Sequence, residues 1–409
     1  MTMALACLGA VAATEETDLQ ALRFASEQAA PETVQERPVK YVSVQLEAAV
    51  ELSKSMPDSR RASLDTYWDR QIDGNWRAVL SNRIDARISQ GAKGDHAVNL
   101  LKEAYLTRNF DGHAMLDAGR INARYGVARG YNPTDFLGVG AHRSIVSGDP
   151  DMLQKNRLGN AMIRWQRLWD EASVTLLWSP KLADKPDARG SSLDWGASNS
   201  KERLLFSGNY RLSEDLNPQL VVYREQGGEP QIGVNASRVL GESTVAYFEW
   251  AGGKTGRKLR AQPDADEKWR NRLSTGATWT SDSKLNLTFE VQRDETATTY
   301  QRPKHPFLSA YPTGVQYQLG DNLDPLALLR GRASVLLRAD WQDSIVDNLN
   351  LSILRAQNTD DDRAMGWAEA RYHHGVLDYA LQWQRIYGEL SPQAHVPRQT
   401  WQFIVSYFY

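Results

Sequence analysis

The sequence has almost no cysteine: Cys7 is the single thiol in 409 residues. Such a chain forms no internal disulfide and builds no thiolate metal cluster, which suits passage through an oxidising compartment. Long apolar runs are missing as well. Past the short apolar start, no stretch approaches the roughly 18 residues a membrane-spanning helix needs, so spanning helices are excluded. A surplus of charge of one sign is also absent. The formal net charge of -2 leaves no basic field of the kind nucleic acid requires. Catalytic groupings are sparse too. The seven histidines (His96, His113, His142, His305, His373, His374, His395) fall in expected turns and loops, with no convincing nucleophile or carboxylate partner for hydrolysis. Adjacent His373 and His374 would point to opposite faces of a strand, which spoils them as a metal pair. Gly227-Gly228 and Gly252-Gly253 read as turns rather than phosphate cradles. An enzyme is not expected, and no cofactor is implied.

What the sequence does have is alternation. Over residues 41–52, Val42, Val44, Leu46, Ala48, Val50 and Leu52 share one face, and Ser43, Gln45, Glu47, Ala49 and Glu51 share the other, a period of two without exception. Trp76, Ala78, Leu80, Ile84, Ala86 and Ile88 oppose Arg77, Ser81, Arg83, Asp85 and Arg87, with Asn82 alone breaking the apolar row. Segments near 285–292, 333–341 and 377–384 repeat the pattern, with charges opposite the apolar row. Weaker candidates bring the count to about seventeen segments of about ten residues, far more than a soluble sandwich could bury. Thirteen Trp and sixteen Tyr, many at strand ends, fit the interfacial girdles of a barrel in lipid. The fold class expected is all-β: an antiparallel transmembrane β-barrel, the one strand architecture that satisfies every backbone group inside hydrocarbon.

Connection lengths fix its orientation, since outer-membrane barrels have short periplasmic turns and long external loops. Counted back from Tyr409, long segments (386–398, 356–365, 294–326, 251–269, 180–200, 125–158) alternate with short ones (373–376, 342–347, 280–284, 170–172 and the turn at Asp111-Gly112). Parity fails only at 53–75, which is long on the periplasmic side. A closed barrel usually needs an even strand count, so a missed strand between 56 and 75 is expected, for a total of about 18, with about 16 as the alternative. Residues 1–13 read as the remnant of a signal peptide ending in small residues, 14–38 as a periplasmic segment too short for a full plug, and 39–409 as the barrel.

Leu101-Lys102-Glu103-Ala104-Tyr105-Leu106, then Leu116-Asp117-Ala118-Gly119-Arg120, Tyr125-Gly126 and Asn132-Pro133-Thr134-Asp135-Phe136 resemble a signature of proteobacterial outer-membrane porin-like barrels, the substrate-specific porin and alginate-export-type group. In that group a hairpin carrying "EAY" and "GR" leads into a loop with "NPxDF". Here Asn122-Ala123-Arg124 stands where Trp-Gly is common. The resemblance implies a passive channel in the bacterial outer membrane whose loop 126–158 folds inward as a constriction. From the residues alone, Gly119 permits close strand packing or a bulge, Asn132-Pro133 starts a turn, and the motif could equally serve only to stabilise a loop on the wall.

Arginine outnumbers lysine 35 to 13, and planar guanidinium groups grip carboxylates and phosphates. Candidate lumen and constriction residues are Arg77, Arg83, Arg87, Glu103, Arg120, Arg124, Arg129, Asp135, Arg164, Arg332 and Arg338. Arg211 and Arg272 fall on expected inward faces too. Inward acids (Glu47, Glu51, Asp85, Glu249, Glu290, Asp340, Asp378) leave two readings open: wall-stabilising pairs, or an anion path. Asp360, Asp361 and Asp362 read as a solvated loop, with Ca²⁺ the alternative.

At the C-terminus Trp401, Phe403, Val405, Tyr407 and Tyr409 share one face. Trp401, Phe403, Tyr407 and Tyr409 resemble the terminal aromatic signal recognised by the barrel-assembly machinery. Expected partners are outer-membrane lipid and lipopolysaccharide, that machinery and a small polar or anionic solute. Alternatives are an exporter or docking barrel for an anionic exopolysaccharide, or a closed structural barrel. Neither solute nor oligomeric state is written in the sequence.

Overall fold

In the computed structural model, residues 42–54, 58–89, 97–138, 141–187, 189–255, 267–297, 331–388 and 397–409 are described. Expectations for residues 1–38 and for most of the long segment 294–326 lie outside these ranges, as do His96, His305 and His395.

Eighteen strands form one sheet. They are β1 (Val42–Ser53), β2 (Ser59–Gln71), β3 (Trp76–Ser89), β4 (Ala97–Asn109), β5 (Ala114–Ile121), β6 (Asn160–Leu168), β7 (Ala172–Ser179), β8 (Arg203–Tyr210) and β9 (Gln219–Glu225). The second half comprises β10 (Gln231–Leu240), β11 (Thr244–Thr255), β12 (Lys268–Thr280), β13 (Leu285–Asp294), β14 (Ala333–Trp341), β15 (Leu349–Asn358), β16 (Ala364–His374), β17 (Leu377–Tyr387) and β18 (Gln399–Phe408). Each pairs antiparallel with its sequence neighbours. The ring closes where β1 meets β18, from Gln45 opposite Phe408 to Ser53 opposite Thr400. Closure leaves no free edge, as a barrel in lipid requires.

Alternation orients every strand. Leu46, Phe289 and Ile353 are 50%, 49% and 58% exposed, while their neighbours Glu47, Glu290 and Leu354 are buried inside. An apolar surface that bare outside a polar interior is the solution lipid demands. The expected strand between 56 and 75 is β2, and with it every long connection lies on one side of the barrel. The turns on the other side are tight. Gly112 and Gly375 supply φ of +80° and +62° there, a region open to glycine without a Cβ clash. In the first of these turns the amides of His113 and Ala114 donate to Asp111, which holds its carboxyl below the ordinary range.

The interior departs from a simple polar lumen. One apolar cluster, including Phe136, Met162, Leu177, Leu205, Val221 and Tyr223, lies inside β6–β9. A second, including Leu153, Leu336, Leu354, Met365, Trp367 and Ile386, lies inside β14–β17. Both bury residues of the β5–β6 connection, which therefore sits within the barrel. It carries helix α1 (Pro150–Lys155), and α2 (Trp195–Ser198) lies in the β7–β8 connection.

Candidate functional site

The described residues of the β5–β6 connection, 122–138 and 141–159, cross the barrel and are fastened to its wall at many points. Two buried glutamates hold the first half. Glu249 on β11 accepts from the amides of Val127, Ala128 and Thr134 at 2.9, 3.1 and 2.8 Å, and from the Thr134 hydroxyl at 2.9 Å. Glu290 on β13 accepts from the amides of Arg129, Gly130 and Tyr131 at 2.7, 3.1 and 3.2 Å, and from the Tyr247 hydroxyl at 2.8 Å. A carboxylate can satisfy several donors at once, and it offsets the cost of burying a stretch of backbone with no ladder partner. Gly126 has φ of +108°, and a Cβ there would lie 2.7 Å from the Glu249 carboxylate oxygens. Hence the turn is glycine-dependent.

Asn132 closes the turn by donating to the Ala128 carbonyl at 2.7 Å. Asp135 pairs with Arg157 within the loop. Phe136 stacks on Tyr223 of β9 with ring centroids 4.7 Å apart, and the Arg272 guanidinium lies 5.2 Å from the Phe136 ring centre. The Asn-Pro-Thr-Asp-Phe stretch is thus a set of anchors inside the barrel. The second half is tied farther round the wall, first to β14 beside β13, then to β18 and, across the interior, to β3. Asp149 caps α1, accepting from the Asp151 amide, and its carboxylate meets Arg338 of β14 at 2.7 Å. Arg338 also reaches Asp151 at 3.0 Å and Asp340 at 2.7 Å, and Arg129 meets Asp151 at 3.3 Å. Ser144 bonds Asp85 of β3, and Gln402 of β18 donates to the Val146 carbonyl at 3.3 Å.

The β7–β8 connection, residues 180–202, joins the wall between β4 and β6, with the Gly190 carbonyl accepting from the Asn99 amide at 2.7 Å. Arg120 serves that junction. Its guanidinium donates to the Leu193 carbonyl at 2.7 Å and to Ser198 Oγ at 3.0 Å, and stacks 4.0 Å from the Trp195 ring centre. This corrects the expectation that Arg120 faces the lumen. The register pairs it with outward Ala104, and the loop then covers it. Gly119 beside it approaches β4 so closely that a Cβ would sit 2.7 Å from the Tyr105 Cα.

Inside β1–β4 the charges form a closed lattice. Arg61 and Arg83 contact Glu47 and Asp85, while Arg83 and Lys102 reach Asp65 at 3.7 and 2.7 Å. Three cations balance three anions, all buried. A β-bulge between Ser81 and Asn82 lets adjacent Lys102 and Glu103 both face inward, which strict alternation forbids. Arg83 and Arg338 are therefore wall and loop ties, each almost fully enclosed by carboxylates.

Other wall pairs remain half open to the interior, and in each the guanidinium is the more exposed partner. Side-chain exposure is 34% for Arg77 against 12% for Asp69, 30% for Arg87 against 18% for Glu51, and 20% for Arg164 against 4% for Asp117. Arg371, at 23%, likewise exceeds Glu369 at 12% and Asp378 at 8%. Glu103 lies among Arg124, Arg164 and Lys102 and accepts from the Asn122 backbone. Arg77, Arg87, Glu103, Arg124 and Arg164 thus form the accessible part of the expected set. Arg129 and Asp135 belong to the loop's own ties, and Arg332 stands exposed before β14, at the end of the barrel that carries the long connections. Arg211 follows β8 in the β8–β9 connection, on the side of the short turns and outside the lumen wall.

Sequence reading missed the pins at Asp149 and Asp151, whose partner Arg338 is far along the chain. It also denied His373 a partner. The ring faces inward on β16, with Nδ1 2.8 Å from Asp378 and Nε2 3.0 Å from Asn350. Asp360 accepts from the amides of Arg332 and Ala333, and Asp361 pairs with Arg363. Among the described residues no group of His, Cys, Asp or Glu is arranged to hold a metal.

No family model and no curated protein matches the chain. Solved structures do. A BenF-like porin from Pseudomonas fluorescens Pf-5 superposes with a TM-score of 0.57 at 11% identity, covering 90% of this chain and 98% of that one. The outer membrane protein OpdK of Pseudomonas aeruginosa gives 0.56 at 9% identity, covering 90% and 98%. OccD3 (OpdP) of the same species gives 0.52 at 11%, covering 90% and 91%. The chain therefore has the fold of these outer-membrane porins.

Proposed function

We propose that the chain is a passive outer-membrane channel for small polar solutes, with a preference for those carrying an anionic group. The exposure asymmetry in the half-open wall pairs carries this reading. The carboxylates lie deeper and the guanidinium groups lie nearer the lumenal water, so a passing solute meets cationic donors first. Arginine surfaces of this kind favour anions in pores. The fastening of this loop to β11 and β13 and, across the interior, to Asp85 of β3 through Ser144 supports a fixed constriction over a gated export path.

Reversal potentials of the purified protein in planar bilayers under a KCl gradient test the proposal. Chloride preference is expected, and the double variant Arg77→Gln, Arg164→Gln should shift the ratio toward potassium by roughly two- to fivefold, since each exposed cation contributes a modest local potential. A cation-selective parent, or a ratio unmoved by the double variant, contradicts it.

A further inference from the structure

The lipid-facing surface carries an arrangement that transport through the lumen does not use. Near the extracellular rim, Arg355 of β15 lies opposite Gly366 of β16, Gly366 lies opposite Arg385 of β17, and Arg385 lies opposite Gln399 of β18. The Lys54 amide continues the row to β1, donating to the Gln399 carbonyl at 3.3 Å. Arg355, Arg385 and Lys54 are exposed, and the alternation places both arginines on the outer face.

Glycine between the two arginines leaves room for the rings of Trp383 and Tyr387, which lie over it. Their Cα atoms are roughly 10 Å apart, two inter-strand spacings, and both guanidinium groups rest on one ring: Arg355 lies 4.5 Å and Arg385 lies 4.9 Å from the centre of Tyr387. Beside them a cavity of about 330 Å³ is lined by Lys54, Arg385, Tyr387, Arg398 and Gln399, with no acidic side chain among the described residues that line it. Among the described residues neither arginine has a carboxylate partner. Arg355 donates to the Gln357 side chain, at 3.0 Å. In a chain of net charge -2, and on a surface where charge is tolerated only near the interfaces, this cluster calls for an anionic partner from the membrane itself.

We propose that this face of β15–β18 and β1 binds a phosphate group of lipopolysaccharide in the outer leaflet, the lipid A headgroup lying against Tyr387 between Arg355 and Arg385. Guanidinium groups clasp phosphate oxygens in two-pronged fashion. The aromatic ring holds both groups at the height of the headgroups, and the cavity beside Lys54 and Arg398 accommodates further phosphate or acidic sugar. The inference rests on the outer-membrane placement of the barrel but not on conduction, so a barrel that passes no current leaves it standing.

Native mass spectrometry of the full-length protein in detergent, titrated with bis-phosphorylated and with dephosphorylated lipid A, tests it. The phosphorylated lipid is expected to bind on the order of tenfold more tightly. Arg355→Gln with Arg385→Gln should abolish that preference, while Arg224→Gln, at an isolated outward arginine on the same rim of β9, should leave it intact. If the paired variant does not fold, Arg355→Gln alone is expected to reduce the preference about threefold. Equal binding of the two lipids, an equal loss in Arg224→Gln, or displacement by inorganic phosphate alone at equal concentration overturns the assignment.

Discussion

Glu290 shows how one side chain can organise a loop. Its carboxylate accepts from three consecutive amides, those of Arg129, Gly130 and Tyr131, and a hydrogen bond to a charged acceptor is worth roughly 1.5–3 kcal/mol. Glu290→Gln is expected to raise hydrogen exchange at those three amides by about one to two orders of magnitude, leaving Val127 and Thr134, held by Glu249, nearly unchanged. Uniform loosening of the loop, or none, would count against separate pins. Arg338 makes the complementary case. Arg338→Leu leaves Asp149, Asp151 and Asp340 buried together without their shared cation, a change that costs about 3–5 kcal/mol. The expected result is a lower thermal midpoint than in Arg338→Met paired with Asp149→Leu, where one of the stranded charges is removed as well. That arginine and acid would face inward is plain in the alternation. Which acid meets which arginine is not, because Asp149 and Arg338 approach only once the whole barrel has closed.

Among elements, the legible strands are those with one polar and one apolar face. β1 and β13 read cleanly, since lipid covers one side and polar groups the other. β7, with Leu176 and Leu177 adjacent, and β15, with Ile353 and Leu354, read weakly because their inward residues are also apolar and pack beneath the inserted loop. β2 escaped the pattern for a different reason. Its inward row of Ser59, Arg61, Ser63, Asp65, Tyr67 and Asp69 is polar but for one aromatic ring, while Arg60, Thr66 and Arg70 interrupt the outward row, the two arginines sitting near strand ends where charge can reach the headgroups. The β4–β5 seam depends on Gly119, whose φ is +141°. Gly119→Val should force the strands apart at Tyr105 and reduce the fraction migrating as a folded barrel on unheated gels by more than half; such steric overpacking typically costs about 1–3 kcal/mol. Near-normal folding of that variant would show that the seam tolerates separation.

At the scale of the molecule, a closed wall of eighteen strands encloses a loop fastened to both of its sides. Closure, orientation and strand number follow from residue alternation and connection lengths, which are local properties of the chain. The course of residues 122–159 is not local. It is set by glutamates and arginines contributed from strands more than a hundred residues away, such as Glu249 to Ala128 and Glu290 to Arg129. The resemblance of the Asn-Pro-Thr-Asp-Phe stretch implied an inward loop, and the wall contacts give the reason. The central claim is that this loop sets the aperture. Its most direct measurement is single-channel conductance in planar bilayers of the full chain beside a variant whose residues 126–157 are replaced by a short Gly-Ser linker. Stable, small conductance steps are expected for the parent and steps at least about threefold larger for the variant, as the side chains that fill the interior are withdrawn. Equal conductance in the two proteins would contradict it.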